Sequence, residues 1–183
     1  MSAPQRLLLD ACVLFPTVLR ELLIGAAGAG LFRPCWTARI LEEWARAVRK
    51  LGPGAEPMAR AEIAALRTAF PGAEVAEAPQ IALRLHLPDE NDLHVLAAAI
   101  ACGADGIVTF NAADFPRGTL AAEGLTRRDP DGLLWDLASH HPDVMAQVAE
   151  TVRAKAEALS GQPQALRPLL KRARLNRLAR ALG

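Results

Sequence analysis

No stretch of this chain stays uncharged for the ~18–20 residues that a bilayer span requires, so a membrane-crossing helix is not expected. The cysteines are three, Cys12, Cys35 and Cys102. They are odd in number and far apart, and no CxxC pair exists, which excludes a zinc knuckle and a disulfide framework. Their apolar surroundings fit reduced thiols in a cytosolic protein. The four histidines show no metal-ligand spacing. The glycine-rich GAAGAG at 25–30 lacks the Lys and Ser/Thr of a phosphate-binding loop and follows no strand, so a P-loop is excluded. There is no repeat and no low-complexity tract. The apolar start LLLDACVLFP lacks a basic n-region beyond Arg6 and is interrupted by Asp10 and by Arg20-Glu21, which argues against an export signal.

The sequence does contain enough apolar residues for one core. Of its 183 residues, 51% are hydrophobic and 22% charged, the profile of a soluble domain with at most a small extension. The net charge of +1 conceals an asymmetry: residues 1–150 hold 13 basic and 19 acidic side chains, whereas residues 151–183 hold 8 basic and 1 acidic. A basic tail of this kind either packs onto the acidic body, or onto a second copy, or attracts a polyanion.

RLLLD at 6–10 reads as a buried strand, because an unbroken apolar run suits a parallel strand covered on both faces. Helices are expected at 16–25, from Thr37 as N-cap to about residue 50, at 58–70, and from Asp89 to Gly103. Strands are expected at 31–35, 74–77, 107–110 and 125–127. Asp129-Pro130 has the form of an N-cap with Pro at the first helical position, and two further helices are expected at 143–159 and 164–182. Strands alternating with helices imply an α/β fold with a parallel sheet and right-handed crossovers. Residues 1–130 form the α/β domain on this reading, and 131–183 a helical C-terminal extension.

The carboxylates are where this frame points to chemistry. Asp10 ends an apolar strand, and ligands of open α/β sheets collect at the carboxyl edge. On the helix wheel Ile40, Leu41, Trp44 and Val48 share one side, with Glu43 on its flank and Glu42 opposite. Glu43 is therefore the carboxylate that looks inward. Asp89, Glu90 and Asp92 open the central helix, where acids complement the helix dipole, and Asp89 with Asp92 resembles a capping box. Asp92, however, lies three, four, seven and eight residues before Val95, Leu96, Ala99 and Ile100, so it begins the buried face and projects into a cleft. Asp105 precedes the fourth strand while Asn111 and Asp114 follow it. Opposite ends of a parallel strand lie on opposite edges, so Asp105 is remote from Asp10 and the other two are near it.

Asp10, Glu43, Asp92 and Asp114 thus form a candidate acidic site, and carboxylates crowded together repel unless a cation sits between them. All-oxygen ligands suit Mg²⁺ or Mn²⁺. Such ions activate water and stabilise a phosphodiester transition state. Asn111 supplies a neutral oxygen or orients a water.

At these residues the chain resembles the PIN-domain family, and within it the VapC-type toxins of toxin–antitoxin pairs. The pieces that carry the resemblance are LLDACVLFP with Asp10, TARILEEWARAV with Glu43, DLHVLAAAIACGAD with Asp92, and IVTFNAADFP with Asn111 and Asp114, in the family's order. The resemblance implies a three-layer α/β/α sandwich with a five-stranded parallel sheet. It also implies a Mg²⁺- or Mn²⁺-dependent ribonuclease, a small antitoxin that blocks the cleft, and a homodimer. Asp10, Glu43, Asp92 and Asp114 fall on the family's acidic positions, although some members carry Asp where this chain has Asn111.

The expected activity is therefore hydrolysis of RNA by a cytoplasmic endoribonuclease. Asp10 and Asp92 are its main metal ligands, and Glu43 and Asp114 complete the site and position water. Arg167, Lys171 and Arg174, placed on one face of the last expected helix, are candidate contacts to RNA phosphates. The alternative is the same fold as a catalytically inactive RNA- or protein-binding module, against which the intact acidic set argues. A phosphatase with Asp10 as nucleophile is disfavoured, since Cys12 stands where a second acid is required.

Overall fold

The structure is a computed structural model, and it describes residues 3–183. In chain order the elements are β1 (Arg6–Leu9), α1 (Ala11–Leu14), α2 (Thr17–Gly28), β2 (Arg33–Thr37), α3 (Ala38–Ala47), α4 (Ala55–Ala69), β3 (Glu74–Val75) and α5 (Pro79–Ala82). They continue with α6 (Leu93–Ala101), β4 (Gly106–Val108), α7 (Arg117–Ala122), β5 (Thr126–Arg128), α8 (Pro130–His140), α9 (Pro142–Ser160), α10 (Leu166–Arg172) and α11 (Asn176–Leu182).

Five strands, all parallel, form one sheet in the order β3-β2-β1-β4-β5. Helices cover it, giving the expected three-layer α/β/α sandwich with C-terminal helices. β1 is the central strand, and Leu7, Leu8 and Leu9 are wholly buried, as a strand covered on both faces must be. The chain leaves β1 toward β2 on one side and returns to β4 on the other, so the strand order reverses between β1 and β4. That reversal opens a crevice at the carboxyl edge. Asp105 lies at the opposite edge, where its carboxylate accepts the Arg6 amide at 2.7 Å, as the parallel topology demands.

Local signals explain the helix starts. Thr37 Oγ1 accepts the Ile40 amide at 3.1 Å, and Asp129 Oδ1 accepts the Gly132 amide at 2.8 Å with Pro130 at the first helical position. α3 stops at Ala47 and continues as a 3₁₀ turn, Val48–Leu51, before the glycine-proline break. The short helices α1, α5 and α7 had no sequence signal strong enough to be expected.

The largest difference lies at the C-terminus. The single helix expected over 164–182 is two, because the chain turns at Ala173–Leu175. Arg174 adopts a left-handed conformation (φ 63°), and the Leu175 amide bonds back to the Leu170 carbonyl at 3.0 Å, a closure of the Schellman type. Arg167 and Lys171 therefore share α10, whereas Arg174 sits in the turn. The turn lets Leu175, Leu178 and Ala179 become fully buried as α11 folds back on α8. Asp131 receives α11 by accepting the Arg177 and Leu178 amides at 2.8 and 3.0 Å.

The basic tail packs onto the acidic body. Lys155 pairs with Glu21 on α2. α2 and α9 approach so closely that a Cβ on Gly25 would lie 2.7 Å from Val148 Cγ1. Met145, Ala149 and Leu178 belong to the same buried cluster as the strand leucines. No helix among the described residues is long and apolar enough to cross a membrane.

Candidate metal and catalytic site

The crevice between β1 and β4 is floored by Asp10, which is only 6% exposed. Its Oδ1 accepts the Ala11 amide at 2.7 Å and its Oδ2 accepts the Thr109 hydroxyl at 2.8 Å and the Cys12 thiol at 3.3 Å. Asp10 thus caps α1 and is also fixed in direction by the first residue after β4. The Thr109 hydroxyl also accepts the Asn111 amide at 2.9 Å, which shapes the loop after β4, and the Phe110 amide crosses back to the Cys12 sulfur at 3.4 Å.

Asp92 enters from α6. It closes a 3₁₀ turn, Glu90–Asp92, whose N-cap is Asp89. In a 3₁₀ turn residues three apart eclipse one another, which aims Asp89 and Asp92 at the same space. Asp114 joins them from the loop after β4. Carboxylate oxygens of Asp89, Asp92 and Asp114 all lie within 4.8 Å of one another, and each residue is half-buried. Asn111 Nδ2 donates to Asp92 Oδ2 at 3.3 Å.

Burial pushes the Asp92 carboxyl up to about 6, and the charges of Asp10, Asp89 and Asp114 add to it. The site is therefore electrostatically strained by like charges, with an all-oxygen donor set and one neutral amide. That chemistry fits a hard divalent cation, which relieves the repulsion.

Glu43 approaches from α3 and is held differently. Its Oε1 lies 2.9 Å from His94 Nε2 and 3.3 Å from Arg39 Nε. Burial alone would raise the Glu43 carboxyl, but His94 and Arg39 outweigh it and hold it below the usual range. His94 is 8% exposed, and its Nδ1 has no partner among the described residues. Glu42 points the other way, into Arg46 and Arg60.

Of the four acids singled out in the sequence, Asp92 and Asp114 sit in the tight carboxylate group, Asp10 acts on Asp92 through its charge, and Glu43 stands beside α6 in the grip of His94. Three participants escaped the sequence reading. Asp89 has the sequence position of a cap and acts as one, since its Oδ1 accepts the Asn91 amide at 2.9 Å. The three-residue spacing to Asp92 behind a proline was the available signal for its second role. Thr109 carries no signal in the sequence beyond its place inside the expected strand at 107–110. His94 had no signal, since its partner lies on another helix. Burial, then the Asp10 charge, pushes the Cys12 thiol up to about 12, which disfavours its thiolate form. The family model of the PIN domain matches residues 6–113, the span that carries β1 to β4 and most of this site. No curated protein and no solved structure gives a match to the chain.

Proposed function

The chain belongs to the PIN-domain family, a family with a nuclease fold, and from that premise we propose that it is a metal-dependent endoribonuclease. The observation that supports this most is the convergence of Asp89, Asp92 and Asp114 within 4.8 Å at the sheet's switch point, beside a buried Asp10. A fold gains no stability from holding like charges together, so a retired binding module has no physical reason to keep them.

In this reading Asp10, Glu43, Asp92 and Asp114 form the acidic site, joined by Asp89, and would hold Mg²⁺ or Mn²⁺. A bound divalent ion supplies Lewis-acid stabilisation of the phosphoryl oxygens and acidifies water. Asp10, locked by three donors, fixes the floor. Asn111 holds the Asp92 carboxylate in place. Glu43, kept ionised by His94, and Asp114 position the attacking water. Hydrolysis adds the water oxygen to phosphorus and breaks one P–O ester bond, and the departing oxygen takes a proton.

The test is cleavage of single-stranded RNA by the full chain with Mg²⁺ or Mn²⁺. Activity should vanish in EDTA and return when the ion is restored. Cleavage indifferent to EDTA would defeat the metal reading. His94→Phe keeps an aromatic ring at the buried position but removes the donor to Glu43. Loss of a residue that orients a metal-site carboxylate costs about 10–100-fold. We therefore expect about tenfold slower cleavage with a higher half-saturating Mn²⁺ concentration, and an unchanged rate would deny Glu43 its role.

The finer assignment is the toxin of a type II toxin–antitoxin pair acting in the cytoplasm as a homodimer, with a small antitoxin that occludes the acidic mouth. The VapC-like motifs support it, and the free thiols of Cys12, Cys35 and Cys102 accord with a reducing compartment. Growth arrest on expression, relieved by a small protein encoded next door, is its expected signature. Residues 1–130 are proposed as the nuclease unit and 131–183 as its structural extension. Arg167 and Lys171 on α10, with Arg174 in the turn, are proposed as an outlying phosphate contact. Neutralising all three should weaken RNA affinity at low salt.

A further inference from the structure

Outside the edge strand β5, between α7, α8 and α11, lies a cleft of about 520 Å³. Four arginines line it, Arg117, Arg127, Arg128 and Arg177, together with Trp135. We infer that this cleft binds the single-stranded RNA flank adjacent to the scissile bond, with phosphates on Arg117 and Arg177 and a base stacked on Trp135. The inference rests on the ribonuclease reading above.

Three observations carry it. The cleft is joined to the site: Arg127 donates to the Ala112 and Phe115 carbonyls at 2.8 and 2.9 Å, within the loop that bears Asn111 and Asp114. Arg128 contributes its carbonyl to the Thr109 amide at 3.1 Å, so the strand that lines the cleft is bonded directly to the residue that orients Asp10. Three of the four charges, those of Arg117, Arg127 and Arg177, have no ion pair among the described residues. Arg128 is matched by Asp136 at 3.0 Å, and Asp129 is turned to capping α8. Arg117 makes no hydrogen bond or ion pair among the described residues, and the Arg177 guanidinium lies over the Trp135 ring, 4.2 Å from its centroid. The indole also reaches solvent: Trp36 and Trp44 are 0% and 1% exposed, whereas Trp135 is 38% exposed.

A guanidinium fork matches a phosphate bidentately. An exposed indole beside cations is the platform on which unpaired bases stack. An acidic polypeptide would satisfy the arginines but would not stack on the exposed part of the indole. RNA satisfies both.

The experiment is a titration of the full chain, in EDTA and at low salt, with a mixed-sequence single-stranded RNA of about 12 nucleotides, within the usual range of such sites. Because Trp36 and Trp44 are buried, a change in tryptophan emission reports Trp135. We expect RNA to quench it. Trp135→Ala should weaken binding about tenfold, the scale of one lost stack, and Trp135→Phe should recover part of that. Arg117→Gln with Arg177→Gln should flatten the dependence of log affinity on log salt by about 1.4, two phosphates at ~0.7 each. Arg117, Arg177 and Trp135 are exposed, and unchanged thermal melts establish that the variants fold.

If RNA binds and is cleaved while emission, affinity and salt slope stay the same in the variants, the cleft assignment is wrong and the nuclease reading stands. If the parent neither binds nor cleaves RNA, both fall. If polyglutamate of matched charge quenches Trp135 and RNA does not, the cleft is a protein-docking surface and the inference is overturned.

Discussion

Asp92→Asn is expected to reduce RNA cleavage by at least about a thousandfold, which corresponds to about 4 kcal/mol of lost transition-state stabilisation. The same change should not destabilise the metal-free protein at neutral pH. The Asp92 carboxyl is raised from 3.8 to about 6, so the fold prefers its protonated form. The associated stability is complete below about pH 4 and is lost as pH rises through about 6. Asparagine is neutral throughout and escapes that loss. A divalent cation reverses the preference by favouring the ionised form. Thermal stabilisation of the parent by Mn²⁺ should therefore grow between about pH 5 and 7, and in Asp92→Asn it should be much weaker and flat with pH. Melting curves with and without Mn²⁺ across that range, beside a cleavage assay, read all of this together. A variant that still cleaves at the parent rate would locate the chemistry elsewhere.

Gly106→Val is expected to be the most damaging substitution in the sheet. Gly106 stands opposite Thr126 in the β4–β5 register. A Cβ there would lie 2.5 Å from Thr126 Oγ1 and 2.6 Å from the Thr126 carbonyl oxygen. A hydroxyl can rotate away, but a paired backbone carbonyl cannot. Relief requires β4 and β5 to separate, at about 3 kcal/mol, the upper part of the range for overpacking. For a chain of this size that is a fall in melting temperature of about 6–12 °C. Function should suffer as well, since Thr109 follows β4 directly and its hydroxyl orients Asp10 at 2.8 Å. A variant melting within a degree or so of the parent would mean that the two strands do not pair in this register.

Much of the fold was written in local pattern. The leucine run of β1 announces a strand buried on both faces. Thr37 and Asp129-Pro130 mark helix starts by their capping chemistry. The sidedness of Asp105 against Asp114 follows from parallel topology alone. The site was legible where one residue's own element aims it, as with Asp10 and Asp92. It was not legible where two elements must meet. The pairing of Glu43 with His94 depends on how α3 lies against α6. Asp131 caps a helix 46 residues away along the chain, and Trp135 has meaning only once Arg177 is laid across it. Arg174 shows the remaining failure: nothing local forbids a continuous helix over 164–182. The turn forms because burying Leu175 and Leu178 against α8 outweighs the modest strain of a left-handed arginine.

The narrow seam at Gly25 has a bearing on how proteins of this kind are rebuilt. With a bare glycine facing Val148 at a distance that leaves no room for a methyl group, the last helices are seated in the body rather than hung from it. Head and tail are accordingly not interchangeable parts. A chimera that keeps this body and borrows another tail must supply a residue at 148 small enough for the gap. Equally, this tail grafted onto a body with alanine or leucine at position 25 would ride away from α2 and uncover the apolar strip it now seals.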